Sequence, residues 1–307
     1  MNNAIVLRER EINIPNIKKM VDYIFDNFLT ESIKKHNTIL IKPNLMYYWD
    51  SSTGETTDPV LVSIIIEKIL ELCDNDVNIK IIESDASAMK TKYVFKTLGY
   101  DKIINNNVEL VNLSKGDTIT ENVTIGKNVI KIRINTLLNE ENYLINIPKI
   151  KIHRNPPGLT SAIKNNFGLI STPYKFQYHK KLPEYVQAIN KLVKNDLVIV
   201  DGLIMLGKYP KKMGTIIGAN DPLTADVLSS KICGLNPKKD YLLSKFYEEE
   251  YAFNKINLQD PNNVYESICN DFPRTNPTWD KFQWDLLLGL LDLYAKIVGD
   301  IKPPVLE

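Results

Sequence analysis

Short apolar runs that stop at polar residues alternate with longer segments of helical period along most of this chain, and that alternation restricts the fold more than any other feature. Thr38–Pro43, TILIKP, reads as a buried strand ended by a proline, which has no N–H to give a ladder. Asp58–Asn75 reads as a helix capped by Asp58 with Pro59 at its first position. Asn78–Asp85 is the next strand, and Thr91–Tyr100 the next helix, closed near Gly99. Further on, Tyr143–Lys151 is a buried strand and Glu184–Asn195 a helix. Leu197–Leu203 and Gly214–Asp221 are strands, and Asp221–Leu235 is a helix with a second Asp-Pro opening. Ala4–Leu7 and Asn16–His36 place a short strand and one or two amphipathic helices in front, and Lys238–Phe253 predicts one more helix. Strands separated by helices predict an α/β fold, with a mostly parallel or mixed sheet and helices on both faces. Val108–Leu113 is also β-like, and Thr118–Ile125 with Asn128–Ile134, joined at Gly126-Lys127, adds a small antiparallel hairpin. Near Pro261 the text becomes rich in Asn, Pro and Trp. Residues 1–260 are therefore expected as an α/β domain, and 261–307 as a C-terminal helical extension lying on the body or on a second copy, as in a homodimer.

A net charge of +1 gives no global field for nucleic acid or an anionic membrane, so neither is expected as a partner. The longest apolar stretch, Leu286–Val298, is short and carries Asp292 and Lys296, which argues against a membrane span. Cys73, Cys233 and Cys269 are far apart and form no C-x-x-C, so no iron–sulfur cluster is expected. Sparse cysteine and a start without a signal-peptide core suggest the cytoplasm.

Several strands end in polar residues. Thr38–Ile41 leads into Lys42 and Asn44, and the strand from Asn78 leads into Glu83, Ser84 and Asp85. Tyr143–Ile147 leads into Lys149, Lys151 and His153, and Leu197–Val200 leads into Asp201 before Gly202. Polar residues follow strands in any protein, but in parallel sheets the strand carboxyl ends also gather the chemistry, and these tips would share one rim. The segment Gly158–Leu169, GLTSAIKNNFGL, reads as a helix that Thr160 or Ser161 can cap and Gly168 can end. Its free N–H groups, with Thr160, Ser161, Asn165 and Asn166, would seat an anion, and Lys149, Lys151, His153 and Arg154 lie beside it. Lys164 near the start of that helix would have a lowered pKa and serve as base or cation, unless it is an ordinary surface lysine. His179 either joins the site or packs among aromatic residues, and His36 is most simply a complement to a helix C-terminus.

Carboxylates form a second group. Asp201, Glu83 and Asp85 are candidate ligands for a divalent metal such as Mg²⁺, which prefers oxygen ligands completed by substrate phosphate. Asp221 is better placed as an N-cap, whereas Asp226, one turn on, can point back to the site. Gly207–Gly214 reads as a basic loop, and no nucleotide-binding glycine motif is present. Tyr47, Tyr48 and Trp49 could form a lid, a pocket wall or part of the core.

The stretches LIKPNL, ESDAS, INIPKIKIH, LTSAIKNNFGLI, IVDGL and ANDPLTAD, in this order between Thr38 and Gly234, resemble the DUF362 family of largely uncharacterised α/β proteins. Some members carry iron–sulfur cysteine motifs, which this chain lacks. The order His153, Lys164, His179 is in addition similar to nickel-pincer lactate racemases. That likeness implies Lys164 as cofactor attachment, His179 as metal ligand and His153 as acid/base. The chain departs from those racemases in having no histidine between His36 and His153 and one glycine in NPPGLTSA.

Together these features suggest an enzyme acting on a small anionic metabolite, a carboxylate or phosphate, by proton or group transfer with a metal as a candidate assistant. Isomerase, lyase and transferase classes stay open. Lys164, His153 and His179 are the candidate catalytic residues, and Lys42, Asn44, Lys149, Lys151, Thr160, Ser161 and Asn165 the candidate substrate contacts. The alternatives are a non-catalytic metal- or ligand-binding accessory of a redox or biosynthetic pathway, and, against the charge balance, a nucleic-acid binder using KIKIHR and YPKKM.

Overall fold

Apolar residues at successive strand positions let one sheet bury both faces, and the strand register shows how the chain uses them. The computed structural model describes residues 2–28, 30–154, 157–247 and 253–274, together with Leu290, Leu293, Lys296 and Ile297. The first elements are β1 (Asn3–Arg8), α1 (Ile14–Asn27), α2 (Thr30–Ile33), β2 (Thr38–Pro43), α3 (Pro59–Leu72), β3 (Asn78–Glu83) and α4 (Thr91–Thr97). Next come β4 (Val108–Asn112), the hairpin β5 (Thr118–Ile125) and β6 (Asn128–Asn135), β7 (Tyr143–Ile147), β8 (Lys149–Arg154), β9 (Pro157–Thr160) and α5 (Ala162–Asn165). The remainder is α6 (Leu182–Leu192), β10 (Leu197–Leu206), β11 (Pro210–Ala219), α7 (Pro222–Ile232), β12 (Asn257–Gln259) and α8 (Tyr265–Asp271).

The main sheet has the order β12-β1-β11-β10-β7-β2-β3-β4, with β8 beside β10 and β9 folded back on β8. β10, β7, β2, β3 and β4 are mutually parallel, while β11 runs antiparallel to both of its neighbours. The chain is thus an α/β protein with a mixed, mostly parallel sheet. Ile39, Ile41, Ile79, Ile81, Ile145 and Ile199 form one face under α1 and α3. On the other face Leu40, Ile82 and Leu144 meet α6 and the β5–β6 hairpin, and Val198, Val200 and Ile217 meet α7. Each such side chain, withdrawn fully from water, stabilises the fold by about 1.5–3 kcal/mol before entropy is counted. Asp58 and Asp221 cap α3 and α7 as the Asp-Pro pairs predict, and Gly126 turns the hairpin at φ 58°.

Four local expectations need correction. Pro148 interrupts Tyr143–Lys151, so β7 follows β2 while β8 leaves to run beside β10. Gly158–Leu169 is not one helix. Gly158, Leu159 and Thr160 pair with His153, Ile152 and Lys151, so helix begins only after Ser161, as a single α-turn followed by a 3₁₀ turn at Asn166–Leu169. The basic loop at Gly207–Gly214 is instead a hairpin turn and the first half of β11, with Leu206 paired to Pro210 and Ile204 to Lys212. Lys238–Phe253 is not a helix in its described part. The Asp240 carboxylate accepts from the Leu242, Leu243 and Leu159 amides, which holds a tight turn there in place of a helical turn.

Residues 261–274 are built into the body. Ile268 and Phe272 join the core beneath α7, and Arg8 pairs with Asp271 at 2.6 Å. The rest of the expected C-terminal extension lies outside the described residues, save Leu290, Leu293, Lys296 and Ile297, which are exposed. Among the described residues, no helix is long and apolar enough to cross a membrane.

Candidate functional site

Because β10, β7, β2 and β3 are parallel neighbours, their carboxyl ends form one rim, and it is crowded with lysine. Lys42 at the end of β2 reaches Glu83 at the end of β3, 2.7 Å away, and also donates to the Pro43 carbonyl. Lys149, in register with Asp201 on β10, bonds its carboxylate at 2.9 Å. Lys151 donates to the Glu55 carbonyl at 2.6 Å and lies 3.1 Å from its carboxylate. Lys42, Lys149 and Lys151 are each at most 2% exposed, so their charges are tolerable only because a carboxylate accompanies each one. Burial lowers the Lys151 pKa, Glu55 opposes that, and the charges on Lys149 and Lys42 add to it. Lys42 and Lys149, expected as open anion clamps, are therefore internal ion pairs.

Lys175 was not singled out in the sequence, yet it is buried beside this row. It bonds Ser84 Oγ and, at 3.3 Å, the Gly168 carbonyl, and its ammonium lies 5.8 Å from the centre of the Phe167 ring. Burial lowers its pKa to about 8, with Glu83 opposing and Lys42 adding to the shift.

Lys164 differs from the other four in being only half-buried. Thr160 stands directly across the β8–β9 ladder from Lys151, and Lys164 Nζ lies 3.4 Å from Thr160 Oγ1. The register thus sets Lys164 next to the Lys151–Glu55 pair. Burial lowers its pKa to about 7, and the Lys151 charge pushes further in that direction. His179, in the 3₁₀ turn Lys175–Lys181, has a solvent-reaching ring that also touches Phe167 and Phe176 edge-on or tilted. Its Nδ1 contacts the Phe176 and Lys175 carbonyls at 3.2 and 3.3 Å. Because a carbonyl only accepts, Nδ1 carries the proton and Nε2 is the free basic atom of the neutral ring. The surrounding chain, and then the charge on Lys164, lower the His179 pKa.

A network of asparagines fixes the Lys164 turn to the sheet. Asn146 on β7 donates to the Ala162 carbonyl and to Asn195 and Asn166, and accepts from Asn165. Asn165 also donates to the Lys42 carbonyl and accepts from Asn44 at 3.2 Å. The predicted anion seat at the start of the turn is already occupied. The Asp226 carboxylate on α7 accepts from the Ala162 and Ile163 amides at 2.6 and 3.1 Å, and burial raises its pKa to about 7 against these bonds. Ser161 is buried at the N-cap position without capping the turn through its side chain.

The carboxylates proposed as metal ligands do not converge. Glu83 is bound to Lys42, Asp201 to Lys149 and the Asp58 and Leu203 amides, and Asp85 to the Thr91 amide and Asn112. Three strand spacings of about 4.8 Å, roughly 14 Å in all, separate Asp201 on β10 from Glu83 on β3. No group of three His, Cys, Asp or Glu able to hold a metal occurs among the described residues. The backbone of His153 lies in β8, but its side chain lies outside the described part of the structure, as does that of Arg154. His36 contacts the Ser32 carbonyl at 2.9 Å and Tyr143 edge-on, at the amino-terminal end of β2 and β7 and so at the opposite edge from this rim. Tyr48 accepts from the Lys90 amide, and Tyr47 lies against Trp49, so this loop is tied partly to the body. Two open clefts, of about 420 and 490 Å³, lie away from the rim, beside Lys231 and beside Lys18.

Fold and site together define an α/β protein whose parallel strand ends carry buried lysine–carboxylate pairs around one partly open lysine. The family model described as "Domain of unknown function (DUF362)" matches residues 39–231, and the chain belongs to that family. Among solved structures it is similar to the lactate racemase apoprotein from Thermoanaerobacterium thermosaccharolyticum, at 12% identity and a TM-score of 0.44. The match covers 76% of this chain and 58% of that one, so the chain spans less than two thirds of the racemase. No curated protein matches it.

Proposed function

We propose that this chain is an enzyme that moves a proton on a small anionic metabolite, with Lys164 as the basic amine and His179 as its partner. The observation that carries this reading is the contrast among the rim lysines. Lys42, Lys149 and Lys151 are ion-paired and buried, whereas Lys164 is half-buried and unpaired by any carboxylate among the described residues, with a pKa of about 7. An amine titrating near neutrality can accept and return a proton at physiological pH, which an ordinary lysine cannot do efficiently. Protonated, Lys164 and the neighbouring Lys151 supply the positive field for a carboxylate or phosphate. His179, an exposed residue whose Nε2 is the basic atom, provides a route for the proton. The free state of all three cysteines supports a place in a reducing cytoplasm.

The test is deuterium exchange into a panel of small hydroxy-, oxo- and phospho-acids in D₂O, followed by NMR. One chemical class exchanges with the wild-type protein, and Lys164→Ala slows that exchange by about 10²–10⁴-fold, the usual contribution of a positioned acid or base. Exchange unchanged in Lys164→Ala, or absent with every class, refutes the proposal.

A further inference from the structure

We infer that Lys164 acts as a nucleophile, capturing a small 2-oxo acid through its carbonyl carbon as a Schiff base beside Lys151, Thr160 and His179. This rests on the proton-transfer reading above and specifies its substrate class.

The argument begins with the row of lysines. An amine becomes a carbonyl-trapping nucleophile when it is held short of bulk water, lies near another cation and has no carboxylate partner fixing its proton. Lys42, Lys149 and Lys151 fail on the last count, because each is ion-paired. Lys175 is enclosed, at 5% exposure, and spent on Ser84 and the Gly168 carbonyl. Lys164 meets all the conditions. It is half-buried, its hydrogen bond to the Thr160 hydroxyl is long, and among the described residues no carboxylate lies within ion-pair distance of it. The ladder sets Thr160, the residue that Lys164 touches, opposite Lys151, and side chains directly opposed in an antiparallel pair share a face. The neighbouring cation is therefore fixed by backbone register rather than by a flexible loop. The pKa of about 7 agrees with that geometry.

The same surroundings select an oxo acid among carbonyl compounds. The Lys151 ammonium is enclosed and bonded to the carbonyl and carboxylate of Glu55, so it acts on a ligand through its charge and not by contact. That charge favours a carboxylate placed next to the carbonyl that Lys164 attacks. Thr160 Oγ1, 3.4 Å from Lys164 Nζ, can donate to the carbonyl oxygen as it becomes a hydroxyl.

The chemistry balances without an external oxidant or reductant. The Nζ lone pair forms the C–N bond while the carbonyl oxygen takes a proton. Loss of the second N–H proton with departure of water then leaves the C=N bond. Protonated, that iminium withdraws electrons from the adjacent carbon, whose C–H proton passes to His179 Nε2, and the electron pair becomes the enamine C=C bond. Return of the proton and addition of water regenerate the oxo acid and the amine.

The experiment is reductive trapping of the full-length protein with pyruvate and cyanoborohydride near pH 7, with peptide mass mapping. A carboxyalkyl adduct on Lys164, on the order of 1,000-fold in excess over lysines of ordinary pKa, is the expected result. Trapping also abolishes deuterium exchange into the oxo acid, and Lys164→Arg, with an unchanged circular dichroism spectrum, is not labelled. Adducts spread over surface lysines, or labelling of the protein that persists in Lys164→Arg, overturn the inference. Exchange that depends on Lys164 yet survives cyanoborohydride with no adduct also overturns it, while leaving proton transfer by Lys164 in place. Absence of both exchange and adduct removes both proposals.

Discussion

Titration of Lys164 offers the most direct check on the site. With its pKa lowered from 10.5 to about 7, the amine is about half neutral at pH 7. A lysine left at 10.5 is neutral there in about three molecules in 10,000, so Lys164 should present on the order of 1,500 times more reactive amine. Competitive acetylation with trace labelled anhydride, read peptide by peptide across pH 6 to pH 11, measures that midpoint for every lysine at once. Lys164 should label with a midpoint about 7. Lys151→Met should move the midpoint upward, because it removes the adjacent cation and leaves the Glu55 carboxylate to favour the charged amine. A Lys164 midpoint at the ordinary lysine value in the wild-type protein would refute the electrostatic argument. A midpoint near 7 that ignores Lys151→Met would assign the shift to burial alone.

Three further outcomes follow from the packing. Asp226 holds its proton to about pH 7 when folded but only to about 3.8 when unfolded, so folding takes up a proton between these values. Stability should then fall as pH rises through that window, by about 4 kcal/mol. In urea titrations Asp226→Asn should lose this slope and be less stable at acid pH, where one of the Ala162 and Ile163 amides loses its acceptor; a retained slope excludes Asp226 as its source. Lys149→Met leaves Asp201 buried without its cation and should destabilise by about 3–5 kcal/mol in the same assay, with a loss under 1 kcal/mol counting against the pair. A Cβ at Gly168 would lie 2.7 Å from Lys42 Cε and 2.8 Å from Glu83 Oε1. Gly168→Ala should therefore lower stability by about 1–3 kcal/mol, and an unchanged denaturation midpoint would show that the pair can shift.

Local chemistry made much of the fold legible. Isoleucine-rich strands, the Asp58-Pro59 and Asp221-Pro222 caps and the Gly126 turn are decided within a few residues, and each occurs where the sequence predicts it. The strand tips meet on one rim for a similar reason, since parallel neighbours place their carboxyl ends together. What those tips do to one another was not legible. Lys42 finds Glu83 across 41 positions and Lys149 finds Asp201 across 52, pairings set by strand order and register. Lys175 carried no pattern of its own, and only the closing of its turn onto Ser84 buries it. Gly158–Thr160 reads as helix from local sequence because its pairing partner lies across the reversal that follows β8. In the described part of Lys238–Phe253, the side-chain bonds of Asp240 to the Leu242 and Leu243 amides hold a turn despite a favourable helical composition.

The embrace of Ala162 and Ile163 by Asp226 makes two distant parts of the chain move as one. A carboxylate on α7 grips the first amides of the turn that carries Lys164, so a change that loosens α7 is felt at that lysine with every residue of the rim left as it is.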